Sequence, residues 1–156
     1  MRADHAASTR AFRKGGGVEV WSNRKLFQNF EKKRSELINA GSDGKSIWVF
    51  HGTDEKNIVP IMTGGFKIGG QNIAVANGTV YGQGVYCATG PDTPMSYGGG
   101  KVVILAEALP GKHGNNSTQT VNSWTPPSKK DWMIFRESCQ LTPRYVVYIG
   151  RSPPAG

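Results

Sequence analysis

Four runs of β-branched and aromatic residues set the strongest limit on how this chain folds: Ser46-Ile47-Trp48-Val49-Phe50-His51, residues 101–109, residues 132–136 and residues 145–149. Each reads as a strand, and the shorter Val85-Tyr86-Cys87 adds another. Helical signals gather at the front. Ser22 or Asn23 is a candidate N-cap for a helix running to about Asn39, with Leu26, Phe27, Phe30, Leu37 and Ile38 near one stripe. Residues 54–65 suit a short second helix carrying Ile58, Ile61 and Met62 and closed by Gly64-Gly65. Helices first and strands afterwards, without alternation, predict an α+β fold rather than a doubly wound sheet.

With 156 residues, 37% of them hydrophobic, the chain suffices for one domain with a real core. Its net charge is +8, from nineteen Lys and Arg against eleven Asp and Glu. Most of that surplus lies in residues 1–40, which hold nine basic and four acidic side chains. Residues 1–17 lack a hydrophobic period and read as a disordered basic tail; residues 151–156 read as a C-terminal tail. The basic run Lys32-Lys33-Arg34 falls mostly outside the apolar stripe and reads as the wet face of the first helix. Residues 110–130, rich in Asn, Ser, Thr and Pro, read as a long surface loop with His113 exposed in it.

The longest apolar stretch, residues 102–109, is broken by Glu107 and is far too short to cross a bilayer. No apolar segment follows the first Met, so a secretory signal is not expected. Cys87 and Cys139 cannot make a disulfide framework and read as small buried hydrophobes, and with three scattered histidines they form no zinc pattern. No metal is expected, and an intracellular location, cytoplasmic or nuclear, is.

Order and spacing carry the chemical signal. His51-Gly52-Thr53 closes a strand, Gly65-Phe66-Lys67-Ile68 follows, then Gly82-Gln83-Gly84-Val85-Tyr86-Cys87-Ala88, then Tyr97-Gly98 with Tyr97 eleven residues past Tyr86. The glycines have neither the lysine of a phosphate-binding P-loop nor the dinucleotide spacing. Together with Val20-Trp21-Ser22-Asn23-Arg24-Lys25-Leu26-Phe27 and Gln140-Leu141-Thr142-Pro143-Arg144-Tyr145, these motifs resemble the catalytic domain of the poly(ADP-ribose) polymerase-like, diphtheria-toxin-like ADP-ribosyltransferases. The resemblance runs over residues 18–150. It implies a split antiparallel or mixed sheet with an N-terminal helix and no helical regulatory domain.

The same resemblance implies an NAD+-dependent enzyme that breaks the nicotinamide–ribose bond and passes ADP-ribose to an acceptor. That bond breaks through a transition state with oxocarbenium character, so rate comes from holding the nicotinamide still and stabilising charge on the ribose. Gly52 would meet the carboxamide through its main chain, Tyr86 and Tyr97 would wall the nicotinamide, and His51 would bond the adenosine-side ribose. Thr53 and Lys67 are candidate contacts to that ribose and to the pyrophosphate, and residues 69–80 would form a flap. The family commonly has a carboxamide-binding serine eight residues after the tyrosine of the second motif; here Pro94 stands there, so Thr93 or Ser96 would substitute.

The third catalytic position is a glutamate in polymerising members. Counting back from Gln140 without a gap places Trp132 there. Matching Trp132-Met133-Ile134-Phe135 to the family's aromatic-apolar-apolar-aromatic run, with one residue inserted after Arg136, places Asp131 there instead, and the preferred triad is His51, Tyr86 and Asp131. Loss of the longer carboxylate implies transfer of one ADP-ribose rather than a polymer. NAD+ hydrolysis and a non-catalytic NAD+- or ADP-ribose-binding module stay open as alternatives. An RNA 2′-phosphotransferase shares the His-Gly-Thr start but matches the later motifs less well. The expected partners are NAD+ and an acceptor protein or nucleic acid, with no membrane, and a monomer is expected.

Overall fold

The computed structural model describes residues 9–12, 17–68, 81–90 and 102–148. Among these, nine strands form one sheet: β1 (Thr9–Phe12), β2 (Val18–Ser22), β3 (Ile47–Gly52), β4 (Val85–Ala88), β5 (Val102–Ala108), β6 (His113–Gly114), β7 (Ser123–Trp124), β8 (Trp132–Phe135) and β9 (Leu141–Tyr148). Their order is β1-β2-β9-β5-β3-β4-β8-β7-β6, antiparallel except for the short β6–β7 pair. Two helices, α1 (Arg24–Asn39) and α2 (Ile58–Gly64), complete the α+β architecture, with a 3-10 turn at Glu55–Asn57 leading into α2.

Side-chain alternation decides where the core lies. Val49 on β3, Ile104 and Ala106 on β5, Val85 and Cys87 on β4, and Met133 and Phe135 on β8 all project to one side of the sheet, where they are buried. Ile58, Ile61 and Met62 of α2 cover that side, joined by Trp21 and Phe66. Asn23 is the N-cap of α1: its Oδ1 accepts from Leu26 N at 3.1 Å. Its Nδ2 donates to the carbonyls of Met62 and Thr63, both at 3.1 Å, so one side chain starts α1 and holds the end of α2.

Several features differ from the sequence-based expectations. Thr9–Phe12 pairs with β2 as β1, inside the stretch expected to be a disordered basic tail. The basic run of α1 is not simply a wet face: Lys33 is buried with Phe30 and Leu37, and its Nζ lies 2.7 Å from Glu137 Oε2. Arg34 reaches Glu31, Glu107 and the Gly44 carbonyl, while Phe27 and Ile38, assigned to the apolar stripe, are exposed. Residues 110–130 are not all surface loop, because β6 and β7 lie there and Val121 and Trp124 are buried.

The last strand is also longer than expected, starting at Leu141 and carrying Pro143 within it. A bulge accommodates the proline: Leu105 pairs with Tyr145 and Ala106 with Pro143, leaving Arg144 as the extra residue. Arg144, with no role evident in the sequence, pairs with Glu107 at 3.4 Å. Among the described residues no helix is long and apolar enough to cross a membrane.

Candidate active site

β3 is paired with β5 from Ile47–Ala108 to Gly52–Val103. On its other side the ladder to β4 is a single pair, Phe50–Ala88. Beyond that pair no ladder joins the two strands, which leaves a parted seam with His51 and Gly52 just past the last rung. The imidazole takes over where the ladder stops, with Nδ1 2.9 Å from the Tyr86 carbonyl. A carbonyl can only accept, so Nδ1 carries the proton and Nε2 of the neutral ring is left as an acceptor. Burial pulls the imidazole below the ordinary histidine value, against the upward pull of the carbonyl bond. Phe66 packs edge-on against the ring at 4.9 Å.

Tyr86 on β4 is half-buried, and its hydroxyl is committed twice. It donates to Gly82 O at 2.6 Å and accepts from Tyr81 N at 3.0 Å. Burial pushes the phenol upward, so it is neutral. Gly82 has φ +103°, and a Cβ there would sit 2.8 Å from Ser117 Cβ, so the residue that receives the phenol has to be glycine. Trp132, the first residue of β8, packs edge-on to Tyr86 at 5.9 Å and to Tyr81 at 5.7 Å, with Lys129 Nζ 5.3 Å from its ring centroid. What Tyr86 presents is therefore its ring rather than a mobile hydroxyl.

The structure joins His51 to Tyr86 through the main-chain carbonyl and not through the phenol. Alternation sends the two side chains from opposite sides of the sheet, so they flank the parted strands. Asp131 is exposed in the turn just before β8, where its carbonyl accepts Thr89 N at 2.9 Å. Thr53 is buried, its Oγ1 accepting from Asn57 Nδ2 at 3.1 Å. Lys67 is exposed beside Phe66. Tyr97, Ser96, Thr93 and the flap of residues 69–80 lie outside the described residues.

His113 is exposed, with both ring nitrogens engaged, Nδ1 to Ser123 Oγ at 2.7 Å and Nε2 to Thr125 Oγ1 at 3.0 Å. Partial desolvation of the ring lowers its proton affinity as well. For His51 and His113 the folded pKa lies below the unfolded value near 6.5, so the unfolded chain binds more protons as pH falls. Their stabilising contribution is complete above pH ~6.5 and is lost as pH falls through the folded values. The melting temperature should therefore drop between pH 7.5 and 5.5, with a shallower slope in His113→Asn and a shallower one still when His51 is also replaced. Equal slopes in all three proteins would contradict this assignment.

Sequence reasoning missed Phe66, Tyr81 and Trp124 as parts of the site. Trp124 is wholly buried and donates from Nε1 to Tyr81 O at 2.7 Å. A large aromatic in an otherwise polar stretch was the available signal, because such a ring needs cover.

Comparisons with known proteins identify the family. The family model described as poly(ADP-ribose) polymerase catalytic domain matches residues 16–133, which include His51, Gly52, Tyr86 and Asp131. The mouse (Mus musculus) protein named protein mono-ADP-ribosyltransferase PARP10 is 32% identical over 142 residues, covering 83% of this chain and 14% of that protein. The chain thus spans about a seventh of that relative's length. A strand-end His-Gly-Thr at a parted seam, a tyrosine fixed on the facing strand and a match across most of the sequence agree: the chain belongs to the poly(ADP-ribose) polymerase catalytic-domain family of ADP-ribosyltransferases.

Proposed function

We propose that this domain takes NAD+ as co-substrate and transfers a single ADP-ribose to an acceptor, with His51, Tyr86 and Asp131 as its working groups. The observation that carries the proposal is the parted seam between β3 and β4. Two properties there suit the donor. His51 Nε2 is an acceptor for a ribose hydroxyl, held by the bond from Nδ1. The main chain of Gly52 lies past the end of the β4 ladder, with no Cβ between it and a carboxamide.

When bound, NAD+ supplies the scissile bond and a leaving group that departs as neutral nicotinamide. This chain's residues bind and orient. The Tyr86 ring stacks, adding about 0.5–1.5 kcal/mol beyond area burial, and Tyr97 is assigned the opposite wall from its place in the motif. Ser96 or Thr93 supplies the hydroxyl that Pro94 cannot. Thr53, whose oxygen already accepts from Asn57, keeps a proton to donate, and Lys67 offers charge to a pyrophosphate. Asp131 accepts from a ribose hydroxyl and places negative charge near the developing cation. Its carboxylate is one methylene shorter than glutamate, which favours one transfer over chain growth. The mouse relative, itself named a mono-ADP-ribosyltransferase, points the same way.

Incubation with NAD+ labelled on the adenine side tests the reading. Nicotinamide release should match covalent label on the acceptor, one ADP-ribose unit per modified site. Release without covalent label would identify a glycohydrolase, and binding without release a recognition module; either sinks the transfer reading.

A further inference from the structure

We propose that Trp124, set in the segment the sequence marks as loop, is the positioning residue for Tyr86. The proposal rests on the reading of Tyr86 as a wall of the donor site. Trp124 has one polar atom, Nε1, and it donates to the Tyr81 carbonyl at 2.7 Å. Tyr81 in turn donates its amide to the Tyr86 hydroxyl at 3.0 Å, and that hydroxyl donates to Gly82 O at 2.6 Å. The indole thus holds the turn that holds the phenol.

Packing supports the same chain of contacts. Trp124 pairs with Ile134 and Ile134 with Tyr86, so the three side chains stand in one row across β7, β8 and β4. The indole has no exposed surface, and a Cβ on Gly82 would lie 3.2 Å from Trp124 Cζ2. The Arg136 guanidinium covers the ring at 5.1 Å and bonds the Val121 carbonyl at 2.9 Å. A ring enclosed this way has one arrangement, and the Tyr81–Gly82 turn inherits it. A wall that is already in place binds the donor without first being ordered, so loosening it should weaken binding more than it slows the bond-breaking step.

The test is a double-mutant cycle with Trp124→Phe, which keeps a ring and removes the indole N–H, and Tyr86→Phe, which removes the clamped hydroxyl. Trp124→Phe should raise KM for NAD+ about tenfold with kcat changed less than threefold, and should raise it no further in the Tyr86→Phe background. Equal effects in both backgrounds would mean that Trp124 is packing only and would overturn the proposal. Amide exchange at Tyr81 reads the clamp without turnover, and either substitution should speed it about tenfold; unchanged exchange in Trp124→Phe overturns it too.

If Trp124→Phe does not fold, the wild-type protein still decides. Saturating nicotinamide should slow exchange at the Trp124 indole N–H and the Tyr81 amide together, and slowing at Tyr81 alone overturns the proposal. Wild type that neither turns over NAD+ nor responds to nicotinamide, but in which the substitutions still loosen Tyr81, refutes the donor-wall reading while leaving the clamp as a structural device.

Discussion

Alanine at position 51 should lower kcat/KM for NAD+ by a factor on the order of a hundred, the scale expected when a reactant loses its fixed orientation. Two contacts end with that side chain. On the proposed reading Nε2 no longer receives a ribose hydroxyl, and Nδ1–H no longer bonds the Tyr86 carbonyl at the point where the β3–β4 ladder has already stopped. Leaving that carbonyl without its donor also costs about 1–3 kcal/mol of stability. The two losses separate by choice of substitution. His51→Asn puts an amide N–H near the position of Nδ1 and restores stability without the distal acceptor. His51→Gln reaches as far as Nε2 and restores part of the activity. Steady-state kinetics beside thermal melts check both, and an Asn variant as active as wild type would remove His51 from the donor site.

Much of the frame is legible in the sequence because it is encoded locally. Asn23 before a run of helix formers fixes the start of α1, and each dense β-branched run folds as a strand. What stays hidden depends on partners far along the chain. Lys33 looks solvated because its ion-pair partner, Glu137, lies 104 residues away, outside any helical spacing. β6 and β7 have two residues each, too few to show a period. The last strand is expected to begin at Tyr145, past Pro143, yet β9 runs through the proline, because a bulge toward β5 absorbs the irregularity and the register with β2 begins only at Tyr145.

The site shows the same division. His51, Gly52 and Tyr86 are identified by motif, and in the structure they lie on the facing strands β3 and β4. The nature of their tie is not in the motif: the imidazole bonds the tyrosine's carbonyl, while the phenol is bound by Tyr81 and Gly82. The sequence favours Asp131 over Trp132 by alignment alone. The structure gives them different work, an exposed carboxylate before β8 and an indole packed on Tyr86.

Gly84→Ala should destabilise the domain by about 3 kcal/mol, near the upper end for overpacking a filled site. The second glycine of Gly82-Gln83-Gly84 is buried at the start of β4 against β8, where an added Cβ would stand 2.6 Å from Phe135 O and 2.6 Å from Ile134 Cγ2. The isoleucine methyl can rotate away, but the carbonyl belongs to the main chain of a neighbouring strand, so relief requires β4 to move off β8. For a domain of this size that is a fall of roughly 6–12 °C in melting temperature. Because β4 carries Tyr86 one residue past Val85, the same displacement shifts the phenol from Gly82 and Tyr81, and kcat/KM should fall even at temperatures where the variant is fully folded. Gly64→Ala is the control: nothing lies within 4 Å of its Cβ position at the end of α2, and alanine is the better helix former. Thermal melts on both variants decide the matter, since a Gly84→Ala protein as stable as Gly64→Ala would mean that β4 does not lie against β8 as described.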